Sequence, residues 1–327
     1  MHRPLRALLD ISVPIVQAPI GSAVTPDLVA AVSGAGGLGT LALTWCGADG
    51  ATERIRAVRS RTGRAFGANL VLDFPIHDVL DACLRERVPV VSTFWGDPAG
   101  VHDTIRRGGA RHVHTVGSVA EAVRAAEVGV DVIVAQGFEA GGHVRGRTST
   151  MALVPAVVDA VGPTPVLAAG GVADGRGLAA VLALGAQGAW IGTRFLTATE
   201  AATHDAYRHR VLDASVDDTA YTGCFEVGWP DAPHRVLRNE TLASWEAAGA
   251  PAAPHRPGEG DVLATTPDGR RCLRYEDQPP MPGMDGDVDA MALYAGEAAG
   301  LVHEIAPAAT IVRTLAADAA AILGRPV

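Results

Sequence analysis

Short apolar runs alternate with amphipathic stretches through the first two-thirds of the chain. The runs are PIVQAP around Val16, LGTLAL from Leu38, FGANL at 66–70, VPVVST at 88–93, ARHVHTV at 110–116, DVIVAQ at 131–136, PVLAAG at 165–170 and GAWIGT at 188–193. They have the length of buried strands and lack the period-2 alternation of a half-exposed sheet, so both faces are expected to be covered. The stretches between them carry helix signals. Thr25 stands as an N-cap before Pro26, with Leu28, Val29 and Val32 on one face and a stop at Gly34 to Gly37. Ser118 and Glu121 form a capping-box pattern, and that helix ends at Gly129.

Eight such units predict a parallel α/β fold, either an open doubly wound sheet or a closed barrel, and periodicity alone does not separate the two. The glycine-rich turns do. They follow the seventh and eighth strands, whereas a dinucleotide fold carries its fingerprint after the first; late placement is where a barrel puts a phosphate site. The expected fold is a (β/α)8 TIM barrel over residues 1–204. After Thr193 the pattern changes: 199–207 reads as helical, and a region rich in Pro, Gly and Asp then runs to about Asp289 without a convincing strand series. Residues 205–289 are expected to form a smaller substrate-side lobe or lid. The 3.6-residue period returns in MALYAGEAAGLVHEIAP and ATIVRTLAADAAAIL, so 290–327 is expected to be helical and packed on the barrel.

Composition narrows the chemistry. The 327 residues carry a formal net charge of −9, with no basic stripe to neutralise a nucleic-acid backbone. No window is long and apolar enough to span a bilayer, and the first residues lack a signal-peptide core, so a cytoplasmic protein is expected. Cys46, Cys83, Cys224 and Cys272 lie far apart in no ligand-like spacing. The chain contains no lysine, which removes Schiff-base aldolase, pyridoxal-phosphate and P-loop mechanisms.

Two segments carry candidate chemistry. AAGGVADGRG puts Gly170 and Gly171 at the end of the seventh strand, and GAWIGTRF puts Gly192 and Thr193 at the end of the eighth. Amides exposed by glycine, with the Thr193 hydroxyl, suit a phosphate; Arg194 could add charge or form an ion pair. VAQGFEAGGHVRG follows the sixth strand and places Gln136 at its end, then a loop that presents His143, a residue able to move a proton or hydrogen-bond an anion. No partner residue forms a metal-ligand motif with His143, and Glu139 reads as a loop brace. Gln17, Ala18 and Pro19 would line the mouth, with Asn69 offering a polar edge to a heterocycle.

These segments, in order, resemble the nitronate monooxygenases, formerly 2-nitropropane dioxygenases. The carriers are PIVQAPIGSAVTPDLVAAVSGAGGLGTLAL, GANL, VAQGFEAGGHVRG, PVLAAGGVADGRGLAAVLALGAQGAWIGTRFL and YAGEAAGLV. The resemblance implies FMN contacted by Gln17, Ala18, Pro19, Asn69, Gln136, Gly141, Gly171, Trp190, Ile191, Gly192 and Thr193, and the glycine-rich turns add Gly142 and Gly170 as candidate contacts. It implies that His143 is catalytic and that alkyl nitronates or nitroalkanes are oxidised with O2; with no ligand motif around His143, no metal is expected. A homodimer is the candidate assembly. The chain departs from the family pattern at Ser33-Gly34 and at Ile20, and little of 205–289 aligns. Related flavin reductases share the motifs and reduce an enoyl thioester or another activated double bond with NAD(P)H, which is the alternative activity. A flavin-free barrel that only binds a phosphorylated ligand is the third reading.

Overall fold

The computed structural model describes residues 4–327. Eight parallel strands form the barrel: β1 Ile15–Gln17, β2 Thr40–Ala42, β3 Gly67–Val71, β4 Val90–Phe94, β5 Arg111–Val116, β6 Val132–Gln136 and, after the two-residue strand β7 Gly142–His143, β8 Val166–Ala169 and β9 Gly188–Ile191. Each falls in one of the apolar runs. The last seam closes where β1 meets the segment before β2: Leu38 N donates to the Ile15 carbonyl at 3.0 Å, and Gln17 N donates to the Leu38 carbonyl at 2.9 Å.

Helices α1 Leu5–Leu9, α2 Pro26–Gly34, α3 Gly47–Arg59, α4 His77–Arg85, α5 Ala99–Arg107, α6 Val119–Val128, α7 Thr150–Val161 and α8 Gly175–Ala183 belong to the barrel. Their start signals act as the spacing predicts. Thr25 accepts from Leu28 N at 3.0 Å and Ser118 from Glu121 N at 3.2 Å, while Gly129 ends α6 at φ 95°. Glu121 reaches back one residue further than a capping box requires, accepting from Gly117 N at 2.7 Å. Val16, Leu38, Val90, Val113, Val132 and Leu167 fill the barrel interior, and two larger apolar clusters lie between strands and helices. Two-sided burial is why these strands read as unbroken apolar runs.

The chain after Thr193 differs from expectation in three places. The expected helix at 199–207 begins only with α9 Asp205–Asp213, because the backbone before it is committed elsewhere: Ala198 bridges Ala306, and Thr199 N donates to the Ala306 carbonyl at 3.1 Å. The lobe does contain strands. β10 Thr219–Thr222 pairs with β11 His234–Leu237, which pairs in turn with β7, and after α10 Glu240–Ala247 a second small sheet joins β12 Val262–Thr265, β13 Arg271–Leu273 and β14 Asp285–Gly286. Strands of two to four residues leave too little pattern to read. Finally, 291–307 is not helical except for a 3₁₀ turn at Glu297–Leu301; only α11 Ala308–Leu323 is an α-helix, packed on α8 and α2. Leu237 N donates to the Leu293 carbonyl at 2.8 Å and Val236 bridges Tyr294, so this stretch is extended along β11.

Candidate active site

A cavity of about 560 Å³ opens at the C-terminal ends of the barrel strands. Every strand end contributes, from Ala18 after β1 round to Gly192 and Thr193 after β9, and the lobe supplies Gly228, Trp229 and Asp277. This is the face at which a parallel barrel presents its variable loops.

One end is built for an anion. The amides of Gly170, Gly171, Gly192 and Thr193 donate to no other described residue, an unusual cluster of unused donors in folded backbone. Gly170 and Gly171 hold φ of 100° and 73°, in the left-handed region that glycine tolerates. A side chain at Gly171 would project into open space, 4.0 Å from its nearest neighbour, Glu139 Oε1, so the glycine keeps the approach to its amide clear. Gly170 is tighter: a side chain there would press on Thr150 and the Ala140 amide. Thr193 Oγ1 accepts from Gly296 N at 3.0 Å and keeps its own hydrogen to donate. Arg194 does not join the cradle. It is buried behind the wall, donating to Thr197 at 2.7 Å and pairing with Glu304 at 3.2 Å. The amides in the first turn of α8 are also committed, since Asp174 accepts from Arg176 N at 2.9 Å and Gly177 N at 3.1 Å.

The middle of the cavity offers polar edges at fixed positions. Ser92 on β4 donates to Asn69 Oδ1 at 2.8 Å, which leaves the Asn69 amide nitrogen to donate. Gln136 Nε2 donates to the His143 carbonyl at 3.1 Å, and its Oε1 is buried with no partner. An orphaned buried acceptor is costly unless a ligand supplies the donor.

His143 lies on β7, and this is the main change from a free loop. β7 pairs antiparallel with β11, in the register His143 opposite His234 and Gly142 opposite Arg235. The lobe therefore fixes the histidine backbone. Gly141 permits the approach, because a side chain there would collide with the backbone of Ala295 and Gly296. The imidazole lies 4.1 Å from the Trp229 ring, 5.4 Å from His234 and 5.5 Å from Tyr294, and its Nε2 is buried without a partner. Burial, reinforced by the nearby His234, pulls its pKa down to about 3, so the ring is neutral near pH 7. His234 is a neutral supporting residue: its Nδ1 donates to the Ala232 carbonyl at 3.0 Å and its Nε2 accepts from Phe225 N at 3.3 Å. Glu139 braces the loop as expected, accepting from Thr150 N at 3.0 and 2.9 Å.

Of the residues singled out from sequence, Gln17 and Ile191 do not line the cavity. The Gln17 side chain clips β1 to β2, its Oε1 accepting from Thr40 N at 3.0 Å, and Ile191 points into the layer beneath the helices. The others, with His143, all border it. From sequence, Asp73, Trp95 and Asp97 at the ends of the third and fourth strands read as bracing or packing residues, and Trp45, Phe74 and Trp229 of the aromatic wall are missed. Trp45 and Phe74 (5.2 Å), Phe74 and Trp229 (5.2 Å), and Trp95 and Trp229 (5.0 Å) pack edge to face across the mouth, and Trp229 Nε1 donates to Asp73 at 3.2 Å. A usable signal existed: in a chain with only five tryptophans, Trp45, Trp190 and Trp229 line the cavity and Trp95 packs behind Trp229.

Comparison with known proteins gives a consistent result. The family model described as nitronate monooxygenase matches residues 2–82 and 74–318. A Mycobacterium tuberculosis protein, (3aS,4S,5R,7aS)-5-hydroxy-7a-methyl-1-oxo-octahydro-1H-indene-4-carboxyl-CoA dehydrogenase, is 37% identical over 250 residues, covering 76% of this chain and 69% of its own. A probable nitronate monooxygenase of Staphylococcus saprophyticus is 32% identical over 285 residues, covering 72% of this chain and 78% of its own. The solved nitroalkane oxidase of Streptomyces ansochromogenes superposes with a TM-score of 0.81 at 31% identity, covering 98% of this chain and 99% of its own.

Proposed function

Because the chain belongs to the nitronate monooxygenase family of oxidoreductases, we propose that it binds FMN at the barrel mouth and oxidises alkyl nitronates or nitroalkanes with O2 at His143. The observation that carries this reading is the pairing, in one cavity, of unused backbone donors at one end with a half-buried, neutral histidine whose Nε2 is enclosed and free at the other.

The residues present fit the cofactor. The amides of Gly171, Gly192 and Thr193, with the Thr193 hydroxyl, would hold the phosphate; Asn69 would donate to the ring system, and the orphaned Gln136 Oε1 would accept from a ring N–H. When bound, FMN supplies the electron-accepting ring for the substrate and passes those electrons to O2. His143 Nε2 would accept the α-proton of a neutral nitroalkane, or in the other tautomer donate to the nitro oxygens of a nitronate. Trp229 covers the imidazole and excludes water from that proton.

A second reading, reduction of an activated double bond such as an enoyl thioester by NAD(P)H, is favoured by the identity to the mycobacterial CoA-thioester dehydrogenase. Anaerobic rapid mixing separates them. Bleaching of the flavin by a nitronate but not by NADH or NADPH is the expected result; the reverse pattern replaces the first reading by the second.

A further inference from the structure

Among the described residues no arginine lines the cavity, and the chain has no lysine to do so. The buried guanidiniums are committed elsewhere: Arg194 to Glu304, Arg235 to Glu297, and Arg256 to Glu226 and Glu259. The cavity wall carries two carboxyl groups. That of Glu139 is occupied by the Thr150 amide. That of Asp277 accepts no hydrogen bond from any other described residue, although the residue lines the cavity beside Gln278 and Trp229.

Asp277 is also held firmly in place. Its amide donates to the Val227 carbonyl at 3.0 Å, and Val227 N donates to the Tyr275 carbonyl at 3.1 Å. The Tyr294 hydroxyl donates to the Asp277 carbonyl at 3.1 Å. Its carboxyl group packs on Gly228, where any side chain would collide with it. The next residue is Trp229, the ring that lies on His143. Burial raises the Asp277 carboxyl to about 6, which leaves it ionised at pH 8.

Resting on the reaction proposed above, we propose that Asp277 is a specificity-determining charge filter: it admits nitro compounds whose remaining structure is uncharged or cationic and rejects those with a carboxylate tail. An anionic tail entering this cavity meets a fixed negative charge and no cation, whereas a hydroxyl or ammonium group finds an unused acceptor. The nitro group is common to every compound compared, so a preference among them reports the charge of the tail alone. At an effective dielectric of about 20, two like charges about 10 Å apart cost on the order of a tenfold change in binding.

The test compares the nitronates of 3-nitropropanoate and of its methyl ester at pH 8, by oxygen uptake, with wild type, Asp277→Asn and Asp277→Glu. The expected wild-type preference is about tenfold or more in kcat/KM for the ester, carried by KM. In Asp277→Asn the preference narrows to less than about threefold, and Asp277→Glu restores it. Equal use of both compounds by wild type, or one ratio shared by all three proteins, overturns the filter. If wild type oxidises neither compound, the proposed reaction fails instead. Anaerobic calorimetric titration of the same compounds into the proteins as isolated then decides the filter alone. Tighter ester binding in wild type but not in Asp277→Asn supports it; equal binding overturns it.

Discussion

His143 and Gly171 make the residue-scale argument separable, because one is assigned to chemistry and the other to holding the cofactor. Replacing His143 by Ala removes the free Nε2 but touches none of the unused amides. Turnover is expected to fall by about 10²-fold or more, the scale of a positioned acid or base, while flavin absorbance per protein stays unchanged. Gly171→Leu places a side chain at φ 73° and into the space in front of an unpaired amide. The purified protein should then lose flavin colour. Normal flavin content in Gly171→Leu would move the phosphate elsewhere, and wild-type kinetics in His143→Ala would remove that side chain from the mechanism. Both residues were legible from glycine spacing and the order of the motifs. Trp229 and Asp277 were not, because a single tryptophan or aspartate in a loop carries no pattern until the fold brings it to the cavity.

At the scale of elements, capping chemistry is legible in the local sequence and non-local pairing is not. Thr25, Ser118 and Gly129 act where the spacing put them, since a cap depends on residues within one turn. Ser118→Ala is expected to lower unfolding free energy by about 1 kcal/mol, measured by urea denaturation, without altering flavin content. A loss well under the usual capping range would mean that the Glu121 bond to Gly117 already secures this helix start. By contrast, 199–204 and 291–307 have apolar spacing compatible with helix, yet their backbones pair with Ala306 and with β11. Those partners lie far along the chain, so tertiary hydrogen bonds override the local preference.

The whole molecule encloses several neutral histidines, and this sets its response to acid. Burial lowers His112 and His143 to about 3 and His114 and His234 to about 4, from an ordinary value of 6.5. His112 and His114 share Thr93 Oγ1 at 2.8 and 2.7 Å beneath the helical layer, with His102 adding a contact to His112 at 3.0 Å. The unfolded chain binds protons to these groups below pH 6.5, whereas the folded protein resists until about pH 4 to 3. Their contribution to stability is therefore complete above pH 6.5 and is lost as pH falls toward those values. The unfolding free energy from urea titration should drop between pH 7 and pH 4, by at most about 1.4 kcal/mol per pH unit for each histidine, and the midpoint should fall with it. A midpoint that holds or rises over that range contradicts the neutral assignment. What the sequence determined by itself was the eight-fold strand–helix alternation, the late glycine turns and the histidine segment, because burial period, caps and left-handed glycines are local properties. Only the tertiary structure decided that His143 is a strand residue clamped by β11, that an aromatic wall closes over it, and that Asp277 is the unpaired charge in the cavity, because each depends on segments far apart in the chain, about 90 residues for His143 and His234 and about 180 for Trp45 and Trp229, meeting at one end of the barrel.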